Sequence, residues 1–524
     1  MLELARHWEP RRSAPPSQAD ICPSLHPLTV QVLYNRGLAD RDDITAFLER
    51  RWPEPNPFDL EGVPAAIERL RYAIHAQELI AVYGDFDVDG ITATVLLVQT
   101  LNALGALVVP YIPDRVDEGY GLNEPALKEL HEKGVQLIVT ADCGVRSVQE
   151  IDYANRLGLD VIITDHHLAG AEPPAAVAAV NGRGPDSQGA LAGVGVAYRL
   201  AQGLLRAAFQ DPSAGQPVRL TEQDLLDLVA LGTVADLVPL LGENRALVHH
   251  GLAQLNRMER PGIEALCHQA RLPHGRIDST AISYALAPRL NAPGRMGQTR
   301  LAFDLLMTQY PAEADQLASK LDQLNRERQQ LTREVQERAQ QLVLANGDDA
   351  PLIFAADEGF PIGVVGLVAG RLTEDFHRPA VAAQIGQELT RGSARSIDAF
   401  HITQALDRCA DLLVRYGGHA AAAGFTVANE NLAPLAERLR SLAHDQLTDK
   451  ELTPVLQFDA EAPLADLSWE LQGELAGLEP LGYDNPPPTF VSRGVRVLER
   501  RQVGNDRQHL KLSLFDGKIA WDAI

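Results

Sequence analysis

A short apolar run, Leu79-Ile80-Ala81-Val82-Tyr83, leads straight into Gly84-Asp85-Phe86-Asp87-Val88-Asp89-Gly90. Three carboxylates at alternate positions between two glycines repel one another, so a fold that gathers them must protonate them or hold cations among them. Hard oxygen donors select Mg²⁺, Mn²⁺ or Ca²⁺ over softer metals. The run predicts a metal site at the end of a buried strand; taken alone, it also fits a solvated acidic turn. Two familiar loops are excluded. An EF-hand counted from Asp85 needs a glutamate at its twelfth position, where Leu96 stands within Val95-Leu96-Leu97-Val98. A phosphate-cradling P-loop needs Gly-Lys-Ser/Thr, and this stretch has no lysine.

The surrounding chain alternates strand-like and helix-like segments. Leu79 to Tyr83 is a strand, Ile91 to Leu104 a helix stopped by Gly105, and Ala106 to Ile112 a second strand. Gln136 to Thr140 and Val161 to Thr164 are two more, each after a helix ending near a glycine. This α/β rhythm predicts a parallel sheet with helices on both faces, and ligands gather beyond the carboxyl ends of such strands. Acids and imidazoles recur at those ends, in Ala141-Asp142-Cys143-Gly144 and Asp165-His166-His167. A helix from Glu222 to Val234, with Thr221 as its cap, delivers Asp236. Singly, each is an ordinary cap or loop residue; together they argue for one site.

At 524 residues the chain has length for about three or four domains. No stretch reaches the roughly 18 apolar residues of a membrane span. Met1-Leu2-Glu3-Leu4-Ala5-Arg6 lacks the pattern of a secretory signal, and Cys22, Cys143, Cys267 and Cys409 lie far apart without CxxC spacing. A cytoplasmic protein without disulfides or a zinc ribbon is expected. The net charge of −23 runs against phosphate binding, but the field that matters is local. From Arg257 to Arg300 there are seven arginines, no lysine and three acids, a local +4 that reads as a phosphate track or as an ordinary exposed helical face.

Pro311 to Leu344 is a long charged helix with Leu317, Leu321, Leu324, Leu331 and Val335 near heptad spacing. Without partner heptads it reads as a connector between two domains. After Gly347-Asp348-Asp349 a second α/β region begins at Pro351, and β-like stretches from Thr489 to Leu498 and from His509 to Phe515 predict a small β domain. The chain stops at Trp521-Asp522-Ala523-Ile524 in strand-like sequence, so the native protein is expected to continue.

The ordered set Gly84–Gly90, Thr140-Ala141-Asp142-Cys143-Gly144, Thr164-Asp165-His166-His167 and Gly232-Thr233-Val234-Ala235-Asp236 resembles the four motifs of DHH-family phosphoesterases. Asn35-Arg36-Gly37, Gly119-Tyr120-Gly121-Leu122, Gly193-Val194-Gly195-Val196-Ala197 and Pro288-Arg289-Leu290-Asn291-Ala292-Pro293-Gly294-Arg295-Met296-Gly297 resemble its RecJ exonuclease branch. Gly417-Gly418-His419 with Ala423-Gly424-Phe425 looks like the DHH-associated domain, and Glu479-Pro480-Leu481-Gly482 with Asn485-Pro486 like the start of an OB-fold. The resemblance implies an N-terminal helical segment packing on the catalytic domain (1–74) and a DHH catalytic domain (75–245). A helical region with the connector (246–345), a DHH-associated domain (346–450) and an OB-fold (451–524) follow.

Carried over residue by residue, the resemblance assigns Asp87 and Asp142 to one metal, and Asp89, Asp142, His166 and Asp236 to a second, with Asp142 bridging. Asp85 is a ligand or a support beside them. His167 approaches the scissile phosphate and Asp165 orients the loop. Arg115, Arg289 and Arg295 are expected on phosphates, and Ser393, Arg395 and His419 on the strand from the associated domain. Phe360-Pro361 stands where the family commonly has Trp-His, which puts that pair's contact in question.

Two divalent ions roughly 3.5–4 Å apart can activate water and clamp a leaving oxygen. One imidazole among carboxylates favours Mn²⁺, with Mg²⁺ as the alternative. A channel between the two α/β domains, too narrow for duplex, and the OB-fold as a second platform would favour single strands. The resemblance further implies processive 5′→3′ hydrolysis of single-stranded DNA to 5′-mononucleotides, in repair and recombination. It implies a monomer at the bacterial nucleoid, with a RecQ-type helicase and a single-strand-binding protein as partners. The competing readings are a phosphodiesterase for short oligoribonucleotides or cyclic dinucleotides, which typically lacks an OB-fold, and a non-enzymatic scaffold, which typically loses metal ligands.

Overall fold

Five short strands, the central three largely buried, form a parallel sheet: β1 (Leu79–Gly84), β2 (Leu107–Tyr111), β3 (Val135–Ala141), β4 (Asp160–Asp165) and β5 (Ala178–Asn181), in the order β2-β1-β3-β4-β5. This is a computed structural model; it describes residues 6–51, 55–115, 118–183, 190–210, 218–345, 350–448, 450, 452–504 and 509–524. Residues 1–5 and the Gly347-Asp348-Asp349 boundary lie outside them. The order reverses between β1 and β3, and a parallel sheet opens its crevice at such a switch. One face carries α1 (Val63–Ala76), α2 (Val88–Ala103), α3 (Gly193–Gln210) and α4 (Leu226–Ala235). The other is covered by helices Glu124–Glu132 and Val148–Leu157, as the alternating pattern predicts.

α2 begins three residues before the expected Ile91, because the Asp87 carboxylate accepts the Gly90 N–H and caps the helix inside the acidic run. α4 is preceded by a 3₁₀ turn, Glu222–Leu225, where Thr221 and Asp224 form a capping box. A π-helical turn, Ile282–Leu286, leads into α5 (Ala287–Arg295). The connector is one continuous helix, α6 (Pro311–Ala345). It buries Leu321 and Leu324 in the first domain's core or beside it, and Val335, Ala339 and Val343 in a separate cluster with the second domain.

That domain is a mixed sheet of β6 (Ile353–Asp357), β7 (Ala380–Ile385), β8 (Leu389–Arg395), β9 (Leu413–Gly418) and β10 (Ala422–Ala428), in the order β9-β10-β8-β7-β6. α7 (Ile362–Phe376) fills the space between this sheet and α6. The chain finishes in an antiparallel meander, β11 (Arg496–Val503), β12 (His509–Phe515) and β13 (Ala520–Ala523). The strand expected from Thr489 to Leu498 is split: Phe490–Val491 pairs with Ala460–Glu461, and Gly494 at φ 67° turns the chain before β11.

The N-terminal region departs from its expected place. α1 packs on the parallel sheet, but Val32, Leu33, Ile44 and Phe47 form a cluster with Leu478, and His7–Pro10 pairs in parallel with Val455–Phe458. The apolar faces of the two short helices, Pro27–Asn35 and Arg41–Leu48, are thus covered by chain more than 400 residues away in sequence. Arg245, fully buried, ties this joint to the first domain by donating to the carbonyls of Phe47, Gly477, Leu478 and Glu479.

Candidate metal centre and the arginines that face it

The loops leaving β1, β3 and β4 are stitched together by backbone bonds. Asp85 N–H donates to Ala141 O, Asp142 N–H to Thr164 O, and the Thr164 hydroxyl to Thr140 O. These bonds place Asp85, Asp87, Asp142 and His166 beside one another, and the C-terminus of α4 adds Asp236. Asp142 sits at φ 65° and Leu237, next to Asp236, at φ 59°. Left-handed backbone at non-glycine residues is uncommon and concentrates at functional sites.

Potential ligand atoms fall into three groups, each within 4.8 Å: Asp85, Asp87 and Asp142; Asp89, His166 and Asp236; and Asp142, His166 and His167. Asp142 belongs to two of them. His166 Nε2 lies 3.2 Å from Asp142 Oδ1 and 3.5 Å from Asp236 Oδ2. Asp89 is anchored from behind, accepting the N–H groups of Gly193 (2.6 Å) and Val194 (2.7 Å) at the start of α3. The motif glycines make room for this: a Cβ on Gly193 would lie 2.5 Å from Asp142 Oδ1, and one on Gly232 2.9 Å from Asp89 Oδ1.

Burial, then repulsion from the neighbouring carboxylates, raises the pKa of Asp85 and Asp142, and lifts Asp89 to about 7 and Asp236 to about 9. Burial and the charge of His167 lower His166 to about 4, leaving a neutral ring of the kind that ligates metals. Asp85 Oδ1, Asp142 Oδ1 and both ring nitrogens of His166 are buried without a hydrogen-bond partner. Unpartnered oxygen and imidazole donors among mutually repelling acids fit divalent cations.

Asp165 has a different job. Its carboxylate accepts the N–H groups of Val145, His166 and His167, and lies 2.8 Å from His167 Nδ1. Burial is the largest single influence on His167 and opposes its charge, but the hydrogen bond to Asp165 together with the charges of Asp165, Asp87 and Asp89 outweighs it and raises the pKa of the ring. Burial likewise pushes Asp165 up most strongly, but the bond to His167, the charge of that ring and the N–H groups of Val145 and His167 together hold Asp165 below the ordinary carboxylate range.

Arginines border the acids. The Arg115 guanidinium stacks 4.7 Å over the Phe86 ring; burial lowers its pKa while Asp85 and Asp87 oppose the shift. Arg295, at the end of α5, is depressed to about 9 by burial and then by Arg115, Arg328 and Arg395. Arg395 Nη1 donates to Ser393 Oγ (3.0 Å) on β8, and Gly366 of α7 lets the helix approach both, since a Cβ there would lie 3.2 Å from Ser393 Oγ. His419 is exposed on the turn between β9 and β10.

Arg289 corrects the expectation of an open phosphate contact. Its Nε donates to Asp322 Oδ1 of α6 at 2.9 Å and its Nη1 to Ala285 O, so its charge is already paired. The 257–300 segment is not a continuous track either, because Arg260 is buried against Asp227. Phe360 lies in the second domain's core and Pro361 caps α7, so neither offers a polar group where the family commonly has Trp-His.

Three contributors carried no assigned role in the sequence. The Tyr120 hydroxyl stands 3.2 Å from Asp142 O and 3.1 Å from His167 Nδ1; the motif around it was visible, but its partners were not. The Gly193 and Val194 amides leave no side-chain signal. Arg328 looks like any charge on a solvated helix.

Models of the DHH family N-terminal domain, the DHHA1 domain and the RecJ OB domain match residues 79–233, 349–445 and 458–524. The "Single-stranded-DNA-specific exonuclease RecJ" of Bacillus subtilis is 38% identical over all of this chain, which spans 66% of that relative's length. The RecJ of Dickeya dadantii is 37% identical over 86% of this chain and 81% of its own. The fold and acidic cluster define a DHH-type phosphoesterase. Within that class, the chain belongs to the RecJ family of exonucleases. The crystal structure of RecJ from Thermus thermophilus in complex with Mn²⁺ superposes with a TM-score of 0.85 at 30% identity, covering 100% of this chain and 74% of that one. The Mg²⁺ complex from the same organism gives 0.76 at 29% identity, covering 98% and 72%.

Proposed function

We propose that this chain is an exonuclease that hydrolyses single-stranded DNA processively from the 5′ end, releasing 5′-mononucleotides with two divalent cations, Mn²⁺ preferred. The observation that carries the reading is the meeting of an Asp/His cluster with Arg115, Arg295 and Arg395 where the two α/β domains face each other. Asp87 and Asp142 would hold one cation and Asp89, Asp142, His166 and Asp236 the other, with Asp85 beside the first. When bound, such ions neutralise charge on the phosphate and acidify water.

The chain's own groups supply the rest. Asp165 accepts from Nδ1 of His167, so the ring presents Nε2 outward and can donate a proton toward a phosphate oxygen. Arg115, Arg295, Arg395 and Ser393 neutralise and orient the strand, with His419 at the outer edge. A groove of cations without base-edge readers suits any sequence. The similarity runs through the RecJ OB domain, which favours the exonuclease over a short-oligonucleotide phosphodiesterase. Work at the nucleoid in repair and recombination, as a monomer beside a RecQ-type helicase and a single-strand-binding protein, follows from the same reading. Incubation with Mn²⁺ and strands labelled at either end, beside a dinucleotide, tests it. Mononucleotides should leave the 5′ end of the long strand first; hydrolysis of the dinucleotide alone, or from the 3′ end, overturns the reading.

A further inference from the structure

A cavity of about 450 Å³ opens in the first domain, away from the acids. Gln99 and Asn102, in the last turns of α2, and Asp227, in the first turn of α4, line it. The same two helices carry Asp89 and Asp236 at their opposite ends, so the cavity is separate from the metal centre. Its floor holds a buried acceptor without a donor. Gln254, 5% exposed, donates Nε2 to Glu259 Oε2 at 3.0 Å. A carboxylate only accepts, so the amide cannot turn its oxygen that way. The Gln254 Oε1 is therefore left buried, with no hydrogen-bond partner among the described residues.

The other open groups of the cavity accept as well. Glu259 forms no ion pair among the described residues, and Asp224 gives Oδ2 to Thr221 and keeps Oδ1. Arg260 is already occupied: Nε and Nη2 donate to Asp227 at 2.8 and 3.1 Å, and Nη1 to Leu306 O at 3.0 Å. Against that single positive charge stand Asp224, Asp227 and Glu259, a net −2. Both α2 and the helix Gly242–Leu255, whose last turn holds Gln254, end here, and the carbonyl ends of helices favour positive charge.

An anion would meet no free guanidinium in this cavity. A bare metal ion fits poorly too, since the groups of three ligand atoms found among the described residues all lie at the metal centre. Acceptors without donors call for N–H groups, and an ammonium carries three. Leu220 and Met307 add an apolar wall, on which methylene groups pack while a charged head reaches polar atoms. We propose that this cavity binds an aliphatic diamine. One ammonium sits on Gln254 Oε1 and Glu259, the other on Asp224 Oδ1, with the methylenes against Leu220 and Met307. The site does not depend on the nuclease reading. A diamine bound there ties the end of α2 to the start of α4, and so stabilises the fold.

Calorimetric titration of the Mn²⁺-loaded full chain with putrescine, in the absence of DNA, tests this; the loaded metal centre keeps the amine from its acids. Putrescine should bind saturably and roughly tenfold tighter than butylamine, and Glu259→Gln, at an exposed position, should weaken it by roughly tenfold. Gln254→Met, which removes the buried acceptor, and Asp224→Asn should each weaken it as well. Putrescine should raise the Tm of the wild-type chain and leave that of E259Q unchanged. No saturable binding, equal binding of putrescine and butylamine, or unchanged affinity in both E259Q and Q254M would each overturn the proposal. Displacement of putrescine by Mg²⁺ beyond that by sodium chloride of equal ionic strength would mark an inorganic cation site and overturn it too.

Discussion

The Tyr120 hydroxyl lies 3.1 Å from Nδ1 of His167, on the side of the ring where Asp165 Oδ1 approaches to 2.8 Å. A carboxylate can only accept, so the Nδ1 proton belongs to Asp165, and the tyrosine hydroxyl is left to donate to Asp142 O at 3.2 Å. Tyr120 thereby ties its own loop to Asp142, one of the two residues shared between candidate ligand groups. Its ring meets that of His167 edge-on at 5.5 Å. Tyr120→Phe keeps the ring contact and removes the hydroxyl, so steady-state kinetics should give a kcat about fivefold lower with KM little changed, the worth of one hydrogen bond. A change confined to KM would show that the hydroxyl serves strand binding instead.

The raised carboxylates predict a pH-dependent stability for the metal-free protein. Asp89 and Asp236 titrate near 7 and 9 in the fold against 3.8 ordinarily, so between about pH 4 and pH 9 the native state binds more protons than the unfolded one. Stability must then fall as pH rises through that window. In chelator, Tm should drop from pH 6 to pH 9, Mn²⁺ should raise it most at pH 9, and Asp236→Asn should flatten the slope. A metal-free Tm that rises over this range contradicts the clustering of these acids.

Arg115 and Arg289 should separate in binding experiments. Arg115→Ala removes a cation beside the acids, and the slope of log K against log salt for a single strand should shrink by about 0.7 for the lost phosphate contact. Arg289→Ala should leave the slope unchanged and instead cost about 1–3 kcal/mol of stability, because it strips a partner from Asp322, which is 5% exposed. Denaturant unfolding and salt-dependent binding on the two variants check both halves.

Much of this site is legible in the chain because its parts are local. Apolar runs ending in acids or imidazoles mark strand ends, and the parallel sheet brings those ends together without further information. Asp87 as a helix cap was hidden, since the acidic run reads as a loop until Gly90 N–H is seen to bond it. Long-range pairing was hidden too. The excess of arginine between Arg257 and Arg300 gives no sign that Arg260 meets Asp227 or that Arg289 meets Asp322. The N-terminal helices show an apolar face, but nothing local says that Leu478 covers it.

Asp142 is proposed to hold the cations together for strand cleavage, and Asp142→Ala tests that role most directly. The measurement is the rate of mononucleotide release from a 5′-labelled single strand in Mn²⁺, read beside strand affinity. Release should fall below about one hundredth of wild type while affinity stays within about threefold, because the arginines proposed to meet the strand are untouched. Near wild-type release by the variant would contradict the account.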